Sequence, residues 1–377
     1  MIRLTIPSLD ETDFAAVRAV LETGYLVQGA QVQAFERAVA RQVGRAEAIA
    51  VSNCTAALHM ALLVLGVGKE DLVMVTTYSW PATANVIELC GARPIFVEIE
   101  PDTFNMSPAH LEEALRPLMR DPTTARRVKA ILPVHTFGQM ANMSTIQTIA
   151  ARYEIPVIED AACALGASWQ GQQAGTWGSM GCFSFHPRKA ITTGEGGMIT
   201  TSNNELARQL RTLRNHGQNP DALTPDFVMP GFNYRLTEFQ GALGVTQMAK
   251  LMRIVATRRE KAHVYDKLLV NTPLQAPHIP SDSQPVYQSY VVLLPEEVKE
   301  HRAAAIVQLR QQGIETTIGT WHMPLTTYFR THYDYQPGDF PITDAVFARS
   351  LTLPLHETMT ENEQAQVVVC VQQAFGL

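Results

Sequence analysis

Short, unbroken apolar runs alternate with helix-spaced stretches through the first half of this chain. The runs are Ala48-Ile-Ala-Val51, Leu72-Val-Met-Val75, Pro94-Ile-Phe-Val97, Ala130-Ile-Leu-Pro-Val134, Pro156-Val-Ile158, Gly181-Cys-Phe-Ser184 and Met198-Ile-Thr-Thr201. Apolar runs without polar alternation fit strands buried on both faces. Ala56 to Leu65, Thr83 to Leu89 and Ser144 to Arg152 read as helices between them. The pattern predicts one large α/β domain with a mostly parallel, seven-stranded sheet covered on both sides. Upstream, Asp10-Glu-Thr-Asp13 is an acidic helix start for Phe14 to Leu21, and Ala34 to Val43 reads as a second helix. A loop marked by Gly24 and Gly29 separates these two helices of an N-terminal arm.

Beyond Arg235 the pattern changes to one long helix, Glu238 to Leu268. Its basic stretch at Arg253, Arg258, Arg259 and Lys261 reads as a solvated face. Pro273, Pro277, Pro280 and Pro285 mark a boundary zone. Tyr287 to Leu294 alternates like a strand, and His301 to Gly313 and Glu363 to Phe375 read as helices. The expected division is a large α/β domain over residues 1–250 and a smaller α+β domain over 251–377.

Composition narrows the classes. A chain of 377 residues with 46% hydrophobic content supports a large core. The net charge of −6 argues against a nucleic-acid partner, which needs a basic face. The five cysteines are scattered without metal-ligand spacing, so reduced thiols, no metal and a cytoplasmic location are expected. No window approaches about eighteen apolar residues, so no membrane span is expected.

The chemistry centres on Lys189, in Ser184-Phe-His-Pro-Arg-Lys-Ala-Ile-Thr-Thr-Gly-Glu-Gly-Gly197. A surface lysine needs neither the preceding strand and proline nor the glycine-rich turn behind it. Asp160 ends the apolar run Pro156-Val-Ile-Glu-Asp160, at the strand end where open α/β sheets bind ligands. An Asp there also caps helices. Paired with Lys189 it suits pyridoxal phosphate (PLP): the lysine condenses with the aldehyde and the carboxylate faces the ring nitrogen. Glu159 alternates to the other side and is the weaker candidate. Ser52-Asn-Cys-Thr-Ala-Ala-Leu58 opens a helix after a strand; it is either an ordinary cap or a phosphate site. Trp80 is either core or a stacking surface for a flat ring. His135 reads as a satisfied strand-end histidine.

With these residues in hand, the chain resembles the DegT/DnrJ/StrS group of PLP-dependent sugar aminotransferases. The resemblance runs through Gly24-Tyr-Leu-Val-Gln-Gly29 with Phe35-Glu36, Asn53 to Leu58, Pro133 to Gly138, Glu159-Asp-Ala-Ala162, Phe183 to Gly197, Arg214-Asn-His-Gly217 and Gly231-Phe-Asn-Tyr-Arg235. It implies the type I aminotransferase fold with PLP as cofactor. Lys189 and Asp160 take the catalytic positions. Trp80 stacks on the ring, and the backbone at Cys54 and Thr55 with the Ser184 hydroxyl forms the phosphate cup. Cys163 stands where the family often has His or Gln beside the cofactor's phenolic oxygen. Asn233 matches an asparagine that reaches the neighbouring subunit's phosphate, which implies a homodimer with shared sites.

The implied reaction moves an amino group from glutamate to a keto-sugar, foremost a nucleotide-linked 4-keto-6-deoxyhexose, for amino-sugar and polysaccharide biosynthesis. A lowered Lys189 pKa is expected, so that the free amine can carry a proton. Candidate acceptor contacts are His186, Arg188, Tyr234 and Arg235, with His322 and Tyr328 on a later loop. A PLP-dependent sugar dehydratase and a non-catalytic regulatory homologue are the competing readings. The resemblance implies that dehydratase members replace the lysine with His, so Lys189 argues against the first; the intact set Lys189, Asp160, Ser184 and Asn233 disfavours the second.

Overall fold

The computed structural model describes residues 1–377. All seven apolar runs are strands of one sheet. Its order is Glu47–Val51, Gly197–Thr201, Met180–Ser184, Ile158–Asp160, Val128–Leu132, Leu72–Thr76 and Arg93–Val97. The four-stranded and three-stranded sections join through the parallel bridges Ile131–Val157 and Val134–Asp160. Gly197–Thr201 runs antiparallel to both neighbours, and the remaining ladders are parallel. The link between Ser184 and Gly197 contains no helix of the kind that usually carries a parallel crossover, in keeping with the antiparallel pairing of these two strands.

Two apolar clusters cover the sheet. One face packs against the arm helix Ala30–Val43 and the long helix Glu238–Leu269, with Val32, Phe35, Leu251 and Ile254 buried. The other packs against Cys54–Val64 and Asn204–Arg214, through Leu58, Leu62 and Leu210. Gly241 lets the two helices of the first layer meet, because a Cβ there would collide with the backbone of Gln31 and Val32. The buried Glu238 carboxylate accepts hydrogen bonds from the N–H groups of Gly29 (2.7 Å) and Gln31 (2.6 Å), capping the arm helix.

The C-terminal part builds its own antiparallel sheet from Tyr290–Leu293, Ser350–Leu353 and Thr317–Ile318. Its cluster includes Ala262, Tyr265, Tyr290, Leu353 and Phe375. Two features bear on a division at 250/251. The long helix runs unbroken through 250/251, and the apolar clusters change over between Val255 and Ala262. Ile2 also belongs to the C-terminal cluster and bridges Ile314.

The basic stretch is not wholly a solvated face. Arg258 is buried, with Nε 2.7 Å from Glu357 Oε1 and Nη1 donating to the Tyr287 carbonyl at 3.1 Å. An arginine can sit there because its charge is paired and its donors meet carbonyls. No helix is long and apolar enough to cross a membrane.

Candidate active site

The carboxyl ends of the parallel strands open onto a cavity of about 1280 Å³. Asp160 ends its strand there, in register with Cys182 of the next strand. Its buried carboxylate accepts from Thr83 Oγ1 at 2.8 Å and from the Ala162 N–H at 3.2 Å. Burial pushes its pKa up, against the opposing pull of these hydrogen bonds and of Lys189 and His135.

Glu159 faces the other way, as strand alternation requires. It accepts from the N–H groups of Gly175 (2.8 Å), Trp177 (2.7 Å) and Gly178 (2.7 Å), and lies 3.0 Å from His135 Nε2. His135 Nδ1 accepts from the Ala141 N–H at 3.3 Å. Both ring nitrogens are therefore engaged, and Glu159 and His135 form a structural pair behind the site.

Lys189 sits on the link between Met180–Ser184 and Gly197–Thr201, in a turn where its N–H donates to the His186 carbonyl at 2.8 Å. Its Nζ donates to Cys163 Sγ at 3.0 Å. Burial alone depresses its pKa, but Cys163, Cys54 and Asp160 favour the ammonium and leave it above the ordinary lysine value. The expected lowering is thus absent from the chain alone, because the nearest groups are thiols and a carboxylate.

Asn53 caps the helix Cys54–Val64 by accepting from the Ala56 N–H at 2.9 Å. The first N–H groups of that helix, at Cys54 and Thr55, have no partner within it and lie at the cavity with the dipole's positive end. Gly197 allows the neighbouring strand to approach this cap, since a Cβ would strike the Asn53 carbonyl. Ser184 ends its strand on the same wall. Trp80, just before helix Ala82–Leu89, keeps 64% of its surface exposed and lines the cavity.

His186, Arg188 and Tyr234 also line the cavity. His186 Nδ1 accepts from the Arg188 N–H at 3.1 Å, and burial holds its pKa below the usual range. The Tyr234 hydroxyl is 3.4 Å from His59 Nδ1, and its ring stacks on Phe232 with centroids 4.6 Å apart.

Other predicted residues lie elsewhere. Asn233 is exposed and does not line its own chain's cavity. Arg235 donates to the Asn215 side-chain carbonyl, outside the cavity. His322 is a correction: it is buried 3.0 Å from the Asp344 carboxylate, with the Phe340 and Phe347 rings nearby. The strand Trp321–His322 pairs with Tyr78–Ser79, and alternation turns Trp321 toward the cavity and His322 away. The Tyr328 hydroxyl donates to Glu88 at 3.1 Å, also outside the cavity.

Sequence reasoning missed Thr83, His59, Gln288 and Trp321 as cavity residues. Thr83 had a signal, three positions after Trp80 in a helix's first turn. Gln288 had none, since it arrives from the C-terminal part.

The residues suit PLP. Asp160 is a buried carboxylate whose charge is disfavoured until a cation faces it, and a ring N–H⁺ is such a cation. The N–H groups at Cys54 and Thr55 suit a phosphate, and the Lys189 amine suits an aldehyde.

This is the architecture of a PLP-dependent aminotransferase. The chain belongs to the DegT/DnrJ/EryC1/StrS aminotransferase family, whose model it matches over residues 7–372. An uncharacterized protein of Methanocaldococcus jannaschii is 33% identical, over 97% of this chain and 96% of that one. Among solved structures, a DegT/DnrJ/EryC1/StrS aminotransferase from Brucella abortus is 30% identical, with a TM-score of 0.88 over 97% of this chain and 96% of its own. PseC from Helicobacter pylori, an aminotransferase involved in the biosynthesis of pseudoaminic acid, is 25% identical. Its TM-score is 0.92 over 100% of this chain and 99% of its own.

Proposed function

We propose that this aminotransferase moves an amino group from glutamate to a keto-sugar, with a nucleotide-linked 4-keto-6-deoxyhexose as acceptor, in cytoplasmic amino-sugar biosynthesis. The observation that carries this reading is one cavity holding Lys189, Asp160, Trp80 and the helix N-terminus at Cys54. Its volume of about 1280 Å³ exceeds the range of roughly 300–1,000 Å³ usual for one ligand, leaving room for a large acceptor beside the coenzyme. A putative sugar aminotransferase from Streptococcus pneumoniae, 25% identical with a TM-score of 0.93 over 100% of this chain and 98% of its own, supports a sugar acceptor.

When bound, PLP supplies a reactive aldehyde and an electron-withdrawing ring. The chain's residues do the rest. The Lys189 amine would hold the coenzyme through its aldehyde and, when free, would take the proton from the donor α-carbon. Asp160, oriented by Thr83, keeps the ring nitrogen charged. Trp80, Cys163, Cys54, Thr55 and Ser184 line the cavity; Trp80 and Cys163 would contact the ring, and Cys54, Thr55 and Ser184 would hold the phosphate. Arg188 has an exposed guanidinium at the cavity and suits a diphosphate. His186 and Tyr234 lie close enough to contact the sugar. Asn233 serves the other subunit of a homodimer, consistent with its position outside its own cavity.

The test is two half-reactions. Glutamate alone is expected to release one 2-oxoglutarate per site and bleach the coenzyme's colour. Thymidine- or uridine-diphosphate-linked 4-keto-6-deoxyhexoses are then expected to be aminated, as read by product mass. Bleaching by glutamate without amination of any such sugar contradicts the acceptor assignment.

A further inference from the structure

We propose that Cys163 is a positioning residue for Lys189: its sulfur holds the ε-amino group on the cavity wall whenever that group is not condensed with the coenzyme. The inference rests on the reading of Lys189 as the coenzyme's anchor. Two elements meet at this contact. Lys189 lies on the link that follows Met180–Ser184, and Cys163 lies in the turn that follows Asp160. Nζ donates to Sγ at 3.0 Å and makes no other hydrogen bond. Both residues line the cavity.

Few charged or titratable groups surround the amine. Cys54 at the helix N-terminus, Asp160 at the strand end, Cys163 in the turn and His186 on the lysine's own segment act on it, and Arg188, Glu195, His59 and Tyr234 also line the cavity. Burial disfavours the ammonium. Among the groups that restore it, Cys163 acts most strongly and is the one hydrogen-bonded to Nζ. A thiol is a weak acceptor. It therefore locates the amine without binding it tightly, which suits a group that must swing onto the coenzyme and back. Cys163 acts through Lys189 and touches no reacting atom itself in this role.

The test uses the full chain stripped of coenzyme, with pyridoxal 5′-phosphate and cyanoborohydride. The amine attacks the aldehyde carbon and water leaves; hydride from the reagent then reduces the C=N bond to a secondary amine. Only the neutral amine attacks, so the pH of half-maximal capture reports its protonation. Peptide mass spectrometry locates the adduct. In Cys163→Ala the acceptor is gone while burial remains, so the midpoint for position 189 is expected to fall by about one pH unit, the worth of a hydrogen bond to a charged group. Cys163→Ser keeps an acceptor and is expected to stay near wild type. Cys163→Val, closer in volume, is expected to follow the alanine variant and covers the case in which alanine does not fold. An unchanged midpoint in the folded alanine or valine variant overturns the inference and leaves Lys189 as anchor. Capture at another lysine in the wild type overturns the anchor reading itself.

Discussion

Lys189→Ala is expected to reduce transamination by about four orders of magnitude, toward the upper range for one acid–base group. Folding should survive, because the ε-amino group's only hydrogen bond is to a thiol. The loss should fall more on turnover than on coenzyme affinity, which drops with the covalent link but keeps the contributions of Cys54, Thr55, Trp80 and Asp160 at the cavity. Dialysis against limiting PLP, with steady-state kinetics, separates the two. The same variant also tests the shared site. Mixed with Asn233→Ala chains, it is expected to recover activity, because a hybrid dimer contains one site with both residues intact. Absence of recovery on confirmed subunit exchange contradicts the homodimer proposal.

Asp160→Asn is expected to separate stability from activity. The folded-state pKa of Asp160 is raised by burial, so the native chain binds its proton more readily than the unfolded chain does. In the coenzyme-free protein this carboxylate therefore destabilises the fold as pH rises from the unfolded carboxyl value through the raised one, and stays unfavourable above it. Asparagine has no such charge and can still accept from Thr83. The coenzyme-free variant is expected to melt at or above the wild-type temperature at pH 7, and at the same temperature at low pH. Turnover should fall by about a hundred- to a thousandfold, as for loss of one electrostatic stabiliser of the transition state. A marked drop in melting temperature with turnover retained contradicts the assignment and makes Asp160 a cap.

The sheet was legible because strands buried on both faces leave unbroken apolar runs, and all seven runs became strands. Asp160 and Lys189 were legible because strand ends and glycine-rich links are local features. Residues whose roles depend on distant packing were not. Thr83 matters through Asp160, seventy-seven positions away. Gln288 and Trp321 reach the cavity only after the C-terminal sheet has docked. His322 shows the converse error. Its neighbours in sequence suggested the cavity, but a two-residue strand pairing set its parity and turned it inward. Arg258 looked solvated in a basic stretch because Glu357, its partner, lies far along the chain. The direction of the Lys189 pKa was hidden for the same reason: the expectation rested on desolvation or nearby positive charge, while the thiol of Cys163 and the carboxylate of Asp160 converge on the amine only in the fold.

The central claim is that one amine, on the link between two adjacent strands, carries the coenzyme. Reducing the PLP-loaded protein with borohydride and sequencing the labelled peptide tests it most directly. The account predicts a single phosphopyridoxyl group on Lys189. A reduced protein that releases all its coenzyme on denaturation, or carries it on a different lysine, contradicts it.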